Sequence, residues 1–270
     1  MSQATTHTLS IPAPRADRAP AVPLTSLSIV LPCFNEEENV ARAVAEAEAA
    51  ARAVCHEYEI VVVDDGSGDR TRAVAEHLTR SDLHVRVVSH GHNRGYGAAV
   101  RSGFQAARMD WILLTDGDLQ FDLSELADVA PLVRDADFVA GFRIQRMDPL
   151  HRRINAAAWN HLVRHVFAVP VRDVDCAFKL MRRRLVQSLD LTADGAMVSA
   201  ELVAKAGAAG ARFAEAGVGH RPRLAGRPSG ASPRVIARAF GELARIRREL
   251  RVAGQPQVAQ LPSPITPVGA

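Results

Sequence analysis

Cysteine is scarce in this chain. The three that occur, Cys33, Cys55 and Cys176, are odd in number, far apart and without a Cys-x-x-Cys pair, which excludes a disulfide framework and a cysteine zinc cage. A reducing, cytoplasmic setting is the natural expectation. No stretch approaches the ~18 consecutive apolar residues of a membrane-spanning helix, and the Ala-, Pro-, Ser- and Thr-rich residues 1–25 hold no apolar signal-peptide core. Membrane contact is therefore expected to be peripheral, at the cytosolic face, or through a membrane-embedded partner protein. A strong charge bias is also lacking: 33 basic against 30 acidic residues leave a net +3, too little to argue for a nucleic-acid partner.

What is present is enough to bury a core, since 47% of the 270 residues are hydrophobic. Residues 1–25 are expected to form a disordered leader and 253–270, rich in proline, a disordered tail. Between them, residues 26–252 read as one domain. Short β-branched runs at 27–31, 59–63, 85–88 and 111–115 alternate with helical patterns at 37–53, 71–80 and 97–107. Unbroken apolar strands separated by helices predict an α/β fold, a doubly wound and mostly parallel sheet covered on both faces.

Ligands of such sheets bind beyond the carboxyl ends of the strands, and each predicted strand ends in polar residues. The first runs into Pro32, Asn35 and Glu36, the second into Asp64, Asp65 and Ser67, the third into Asn93, Gly95 and Gly97, and the fourth into Asp116, Gly117, Asp118 and Gln120. On an extended segment Asp116, Asp118 and Gln120 would share one face. Three hard oxygen donors there suit Mg²⁺ or Mn²⁺, and Gly117 between them would admit a diphosphate. Adjacent Asp64 and Asp65 suit a base edge and ribose hydroxyls, while Ser67 or Asp69 can cap the next helix. Gly95 and Gly97 open a helix after a strand, but the third glycine of a dinucleotide fingerprint is missing. They are expected instead to bring a helix start close to a bound donor. His161 and His165 have the spacing of a helical zinc pair but lack the accompanying glutamate, so an ordinary exposed face is favoured.

Taken in order, Pro32 to Glu36, Asp64 to Ser67, Asn93 to Ala99 and Thr115 to Gln120 resemble glycosyltransferase family 2, and most closely its dolichyl- or polyprenyl-phosphate sugar transferase branch. The resemblance continues through Gly141–Arg143, Arg152–Asn155, Asp173–Lys179 and His220–Arg227, covering residues 27 to about 250. It implies a GT-A, nucleotide-diphospho-sugar transferase fold. It further implies inverting transfer of a sugar from a UDP- or GDP-linked donor to a polyprenyl-phosphate acceptor. Pro32, Asn35, Glu36, Asp64, Asp65 and Gly95 would line the donor, with Asp116, Asp118 and Gln120 on the metal. Arg143 and one of the pair Arg152 and Arg153 would receive the acceptor phosphate, and Arg223 and Arg227 would close over the donor. Gly117 stands where the branch often has alanine, and Asn155 where serine is common.

Metal and arginines would stabilise a leaving nucleoside diphosphate where its charge develops. An acceptor phosphate is already anionic and needs no strong base. A hydroxyl acceptor would need one, and Asp175 or Glu201 are the candidates. Nine arginines lie between residues 221 and 251, against Glu242 and Glu249. Ser232 and Pro233 begin a predicted helix to about 251, with Arg234, Arg238, Arg245 and Arg248 on one side and Ile236, Ala239, Leu243, Ile246 and Leu250 opposite. Such a helix either rests on anionic lipid or packs on the core with its basic face solvated. Two other functions compete: a sugar transferase acting on a glycan or small-molecule hydroxyl, and a nucleotide-sugar-binding protein without catalysis. A nicotinamide oxidoreductase is disfavoured, because Pro32 to Asn35 replaces a glycine-rich first turn.

Overall fold

A computed structural model describes residues 23–144, 150–222 and 233–252. Strands β1 (Ser26–Cys33), β2 (Glu57–Asp64), β3 (Val85–Ser89) and β4 (Trp111–Leu114) alternate with helices α1 (Val40–Val54), α2 (Thr71–Ser81) and α3 (Tyr96–Ala106). A short helix α4 (Leu126–Val129) leads to β5 (Phe138–Arg143), α5 (Leu150–Phe167), β6 (Lys179–Arg182), α6 (Arg183–Ser188), α7 (Val198–Ala208), β7 (Phe213–Val218) and α8 (Pro233–Val252). The seven strands form one sheet in the order β3-β2-β1-β4-β6-β5-β7. Only β6 is antiparallel to its neighbours, β4 and β5. Six strands therefore point the same way, and their carboxyl ends share one edge.

Alternation along each strand sends side chains to two cores. Leu27, Ile29 and Leu31 of β1 join Ile60 and Val62 of β2 beneath α1, while Val30, Val61 and Val63 meet Ala99, Val100 and Phe104 of α3 on the other face. Helix α3 lies close to the sheet because Gly103 faces Val30, where a side chain would collide. Leu24, just ahead of β1, is buried, and its N–H bonds to the Val54 carbonyl (3.2 Å). The rest of the leader, the tail, and Arg223 and Arg227 lie outside the described residues, as do the side chains of Arg152, Arg153 and Asn155.

Register fixes what meets at the edge. Cys33 pairs with Asp64 and Asp64 with Ser89, so the first three strands end level. Thr115 N–H bonds to the Val30 carbonyl (3.2 Å), which starts the turn after β4 beside them. The antiparallel strand β6 begins where the others stop, and it brings residues 173–179 to the same edge.

Candidate active site

At this edge the loops after β1 and β2 are stitched together. Asn35 takes a positive φ of 56°, which asparagine tolerates better than most residues. Its N–H donates to Ser67 Oγ (3.0 Å), and its Oδ1 accepts from Gly68 N–H (2.8 Å). Glu36 N–H bonds to Thr71 Oγ1 (2.7 Å), and Glu36 Oε2 accepts from Asn39 (2.6 Å). Asp64 Oδ1 accepts from Ser67 N–H (3.2 Å), and Asp69 Oδ1, just ahead of α2, accepts from Thr71 N–H (2.9 Å).

Asp65 is committed to the protein itself. Oδ1 accepts from His90 Nδ1 (2.6 Å) and Arg94 N–H (2.9 Å), and Oδ2 from Gly95 N–H (2.9 Å). The His90 ring reaches on to Ser102 Oγ (2.9 Å). A carboxylate only accepts, so His90 Nδ1 carries the proton. Asp65 thus shapes the β3–α3 loop beside the end of β2.

The glycines of that loop make close contacts within the protein. Gly95 (φ +96°) and Gly97 press on the backbone of Asp194 and Ala193, leaving no room for a Cβ, and Gly97 N–H bonds to the Asp194 carbonyl (2.7 Å). Their close approach is to residues 193–194, and the Gly95 N–H is already used. Gly117 likewise faces Cys33, whose Sγ would lie 2.6 Å from an added Cβ, so its smallness serves the packing of the turn on β1.

The segment after β4 is a turn, with Leu119 at φ +63°, and strand alternation does not hold there. Asp116 and Asp118 still come together. Burial first, and then the Asp118 charge, push the Asp116 carboxyl up to about 6, against a hydrogen bond from Tyr96 Oη (3.0 Å). Asp118 Oδ1 accepts from Gln120 N–H (3.1 Å). The Gln120 side-chain amide donates to the Arg221 carbonyl (3.3 Å), tying the turn to the chain beyond β7.

Two buried groups report how the carboxylates gather. The Cys33 thiol is pushed far up by burial and then by Glu36, Asp64, Asp116 and Asp118, so four predicted site residues surround the end of β1. Lys179, fully buried on β6, donates to the Cys176 carbonyl. Burial lowers its ammonium pKa against the opposing pull of Asp175, Asp173 and Asp116. Arg143 makes a two-pronged ion pair with Asp173 (2.7 and 2.8 Å); burial would lower its pKa, but the Asp173 bond and charge raise it. Asp116, Asp173 and Asp175 therefore act on the buried Lys179 and the part-buried Arg143, while Glu36, Asp64 and Asp118 join Asp116 around Cys33. Asp175 is open to solvent yet ringed by protein, and that enclosure raises its carboxyl, opposed by Lys179.

Glu201 does not fit the role of a base. Fully buried, it accepts from Thr192 N–H (3.0 Å), Ala193 N–H (2.8 Å) and Lys205 Nζ (2.7 Å). Burial would raise its pKa, but these partners hold it below the ordinary value. Among the described residues no three His, Cys, Asp or Glu side chains are grouped to hold a metal, and His161 and His165 are exposed rings 6.4 Å apart. Lys179 is the residue that sequence reasoning passed over. Its signal was a lysine opening an apolar strand directly after an acidic loop.

The sheet order, the single antiparallel strand and the carboxylate turn after β4 define a GT-A type glycosyltransferase fold. The family model described as glycosyl transferase family 2 matches residues 28–190, and the chain belongs to that family. It is 34% identical over 169 residues to a dodecaprenyl-phosphate galacturonate synthase of Rhizobium johnstonii, covering 61% of this chain and 50% of that one. An undecaprenyl-phosphate 4-deoxy-4-formamido-L-arabinose transferase of Pseudomonas fluorescens is 33% identical over 169 residues, covering 62% and 50%. The match thus spans about half the length of these curated relatives. Among solved structures, a mannosyl-3-phosphoglycerate synthase from Rubrobacter xylanophilus superposes with a TM-score of 0.62 at 22% identity, covering 90% of this chain and 79% of that one. A glucosyl-3-phosphoglycerate synthase from Mycobacterium tuberculosis, in complex with UDP, gives 0.60 at 20% identity, covering 86% and 82%.

Proposed function

We propose that this chain is an inverting glycosyltransferase that moves a sugar from a nucleotide-diphospho-sugar to a polyprenyl phosphate, using a divalent cation. The observation that carries the proposal is the Asp116–Asp118 pair, held in a buried turn at the carboxyl edge of the sheet among four further carboxylates. Such a pair is short of positive charge, and two hard oxygen donors completed by donor phosphate oxygens suit Mg²⁺ or Mn²⁺. In that setting the metal supplies charge stabilisation for the leaving diphosphate. The M. tuberculosis synthase has also been solved with Mn²⁺ and UDP-glucose, and the bacterial relatives are named for transfer to dodecaprenyl or undecaprenyl phosphate.

Asp64, Glu36 and Asn35 form the donor wall, with Asp65 shaping it from behind. Arg143, oriented by Asp173, offers its remaining N–H groups to an acceptor phosphate at the same edge. A phosphate oxygen attacks the anomeric carbon, and the nucleoside diphosphate departs on the opposite side. Arg153, Arg223, Arg227 and the Gln120 amide are assigned to this site on the family resemblance. One observation favours a second acceptor: Asp175, enclosed yet solvent-reachable with a raised pKa, is suited to take a proton from a hydroxyl.

The test is product formation from UDP-, GDP- and dTDP-sugars with undecaprenyl phosphate and Mn²⁺. D118N should lose activity by at least about 100-fold with an unchanged circular dichroism spectrum, and excess chelator should do the same to the native chain. Full activity in either case rejects the mechanism. Transfer by the native chain to a sugar hydroxyl but not to undecaprenyl phosphate, lost in D175N, would favour the hydroxyl reading.

A further inference from the structure

Along the second half of α8 the apolar side chains pack on the protein. Leu243 and Ile246 are buried in the second core and Leu250 packs against it, while Glu249 pairs with Lys205 of α7 (3.2 Å). Those three apolar side chains are thus committed to the core, and over the described part of the apolar side, from Leu243 to Leu250, the core-packed alternative holds. What faces outward is a different surface. Arg247, Arg248 and Arg251 are exposed along the last two turns. With Ala244, Leu243 and Val166 of α5 they line a groove of about 360 Å³.

The charged side chains that line the groove are all arginines. His161, Arg164 and His165 stand exposed on the last turns of α5, a helix whose sequence contains no aspartate or glutamate. On α8 the nearby acid, Glu249, is turned toward Lys205, with Arg245 3.9 Å away. An apolar floor with a cationic rim matches an amphiphilic anion, with glycerol or the upper acyl chain on Val166, Leu243 and Ala244 and phosphate oxygens on the arginine forks. Helix α5 begins just beyond the strand that ends in Arg143 and ends at this groove, roughly 27 Å along its axis at 1.5 Å per residue.

We propose that the α5–α8 groove docks the enzyme on an anionic bilayer surface by binding phospholipid headgroups through Arg247, Arg248 and Arg251. This rests on the lipid-phosphate acceptor for its purpose, but not for its physics. Docking lays α5 along the membrane and brings the Arg143 end of the site to where a polyprenyl phosphate emerges. The association is electrostatic, so it weakens with salt.

The full-length protein is floated with vesicles of phosphatidylglycerol and phosphatidylcholine, and with phosphatidylcholine alone. Binding is expected to the anionic vesicles only and to fall between 50 and 500 mM NaCl. The triple variant R247Q/R248Q/R251Q should bind more than about tenfold more weakly while keeping its melting temperature and its transfer rate to a detergent-solubilised acceptor. A native chain that ignores anionic vesicles, a triple variant that binds them as well, or arginines that bind single-stranded RNA in preference to vesicles would each overturn the proposal. Vesicle binding without sugar transfer would sink the proposed function and leave the docking surface standing. Transfer in detergent without vesicle binding would do the reverse.

Discussion

Lys179 is a residue whose energetics and use pull in opposite directions. An ammonium that burial drives below its ordinary pKa is destabilising in the folded state wherever it remains charged, because water solvates it better than the sheet does. Its bond to the Cys176 carbonyl and the pull of Asp116, Asp173 and Asp175 offset this only in part. The expected purpose is a fixed positive charge between the metal pair and the acceptor side. K179M should therefore melt at the same or a higher temperature, while kcat falls by at least about tenfold, as the loss of a charge aimed at the transition state implies. Differential scanning fluorimetry and steady-state kinetics on the same sample check both halves. A drop in Tm with kcat intact would mark the lysine as structural. Residues of this kind are poorly legible in sequence: Lys179 reads as an ordinary strand-end lysine until β6 is known to run backwards into the acidic edge.

The elements were far more legible than the contacts between them. The apolar runs at 27–31, 59–63, 85–88 and 111–115 lie at β1 to β4; in β1, β2 and β4 a strand buried on both faces must be apolar throughout, while the edge strand β3 is only partly buried. Reversal of β6 was invisible, since a four-residue strand carries no direction in its composition. The sequence places Gly95 and Gly97 at the start of α3. Their partner, the Ala193–Asp194 backbone, lies almost a hundred residues away and could not be read locally. Glu201 holds that partner in place. Because its folded pKa is depressed, its contribution is present above its unfolded pKa, ~4.3, and is lost as pH falls through the lower folded value. E201Q should lower stability at pH 7 by about 2 kcal/mol, since Lys205 and two backbone N–H groups lose an anion. The gap from the native protein should begin to narrow as pH falls below the unfolded value and close as it passes the lower folded one. Urea unfolding at pH 7, 5 and 3.5 measures this, and a gap independent of pH would refute the assignment. The donor KM should rise with it, as residues 193–194 loosen against α3.

At the scale of the whole molecule, a net charge of +3 conceals a separation: acid at the carboxyl edge of the sheet, base along α5 and α8. That separation gives the acidic edge a proton affinity of its own. Asp116 titrates near 6, through burial and its neighbour Asp118, whereas an unfolded aspartate titrates at ~3.9. A raised carboxyl favours the folded state when protonated, so the metal-free protein should gain stability as pH falls from 7 toward 5. A divalent cation needs the same oxygens without the proton, so its binding should weaken over the same interval. The two slopes are opposite in sign and come from one site. Thermal shift without metal should rise on mild acidification. Mn²⁺ affinity, followed by calorimetry, should be nearly flat from pH 8 to 7 and then fall toward about tenfold per pH unit below 6, the limit for competition with one proton. D116N should abolish both slopes together. Mn²⁺ affinity that stays constant to pH 5 would show that the cation is held elsewhere, and the donor site would then have to be built without the turn after β4.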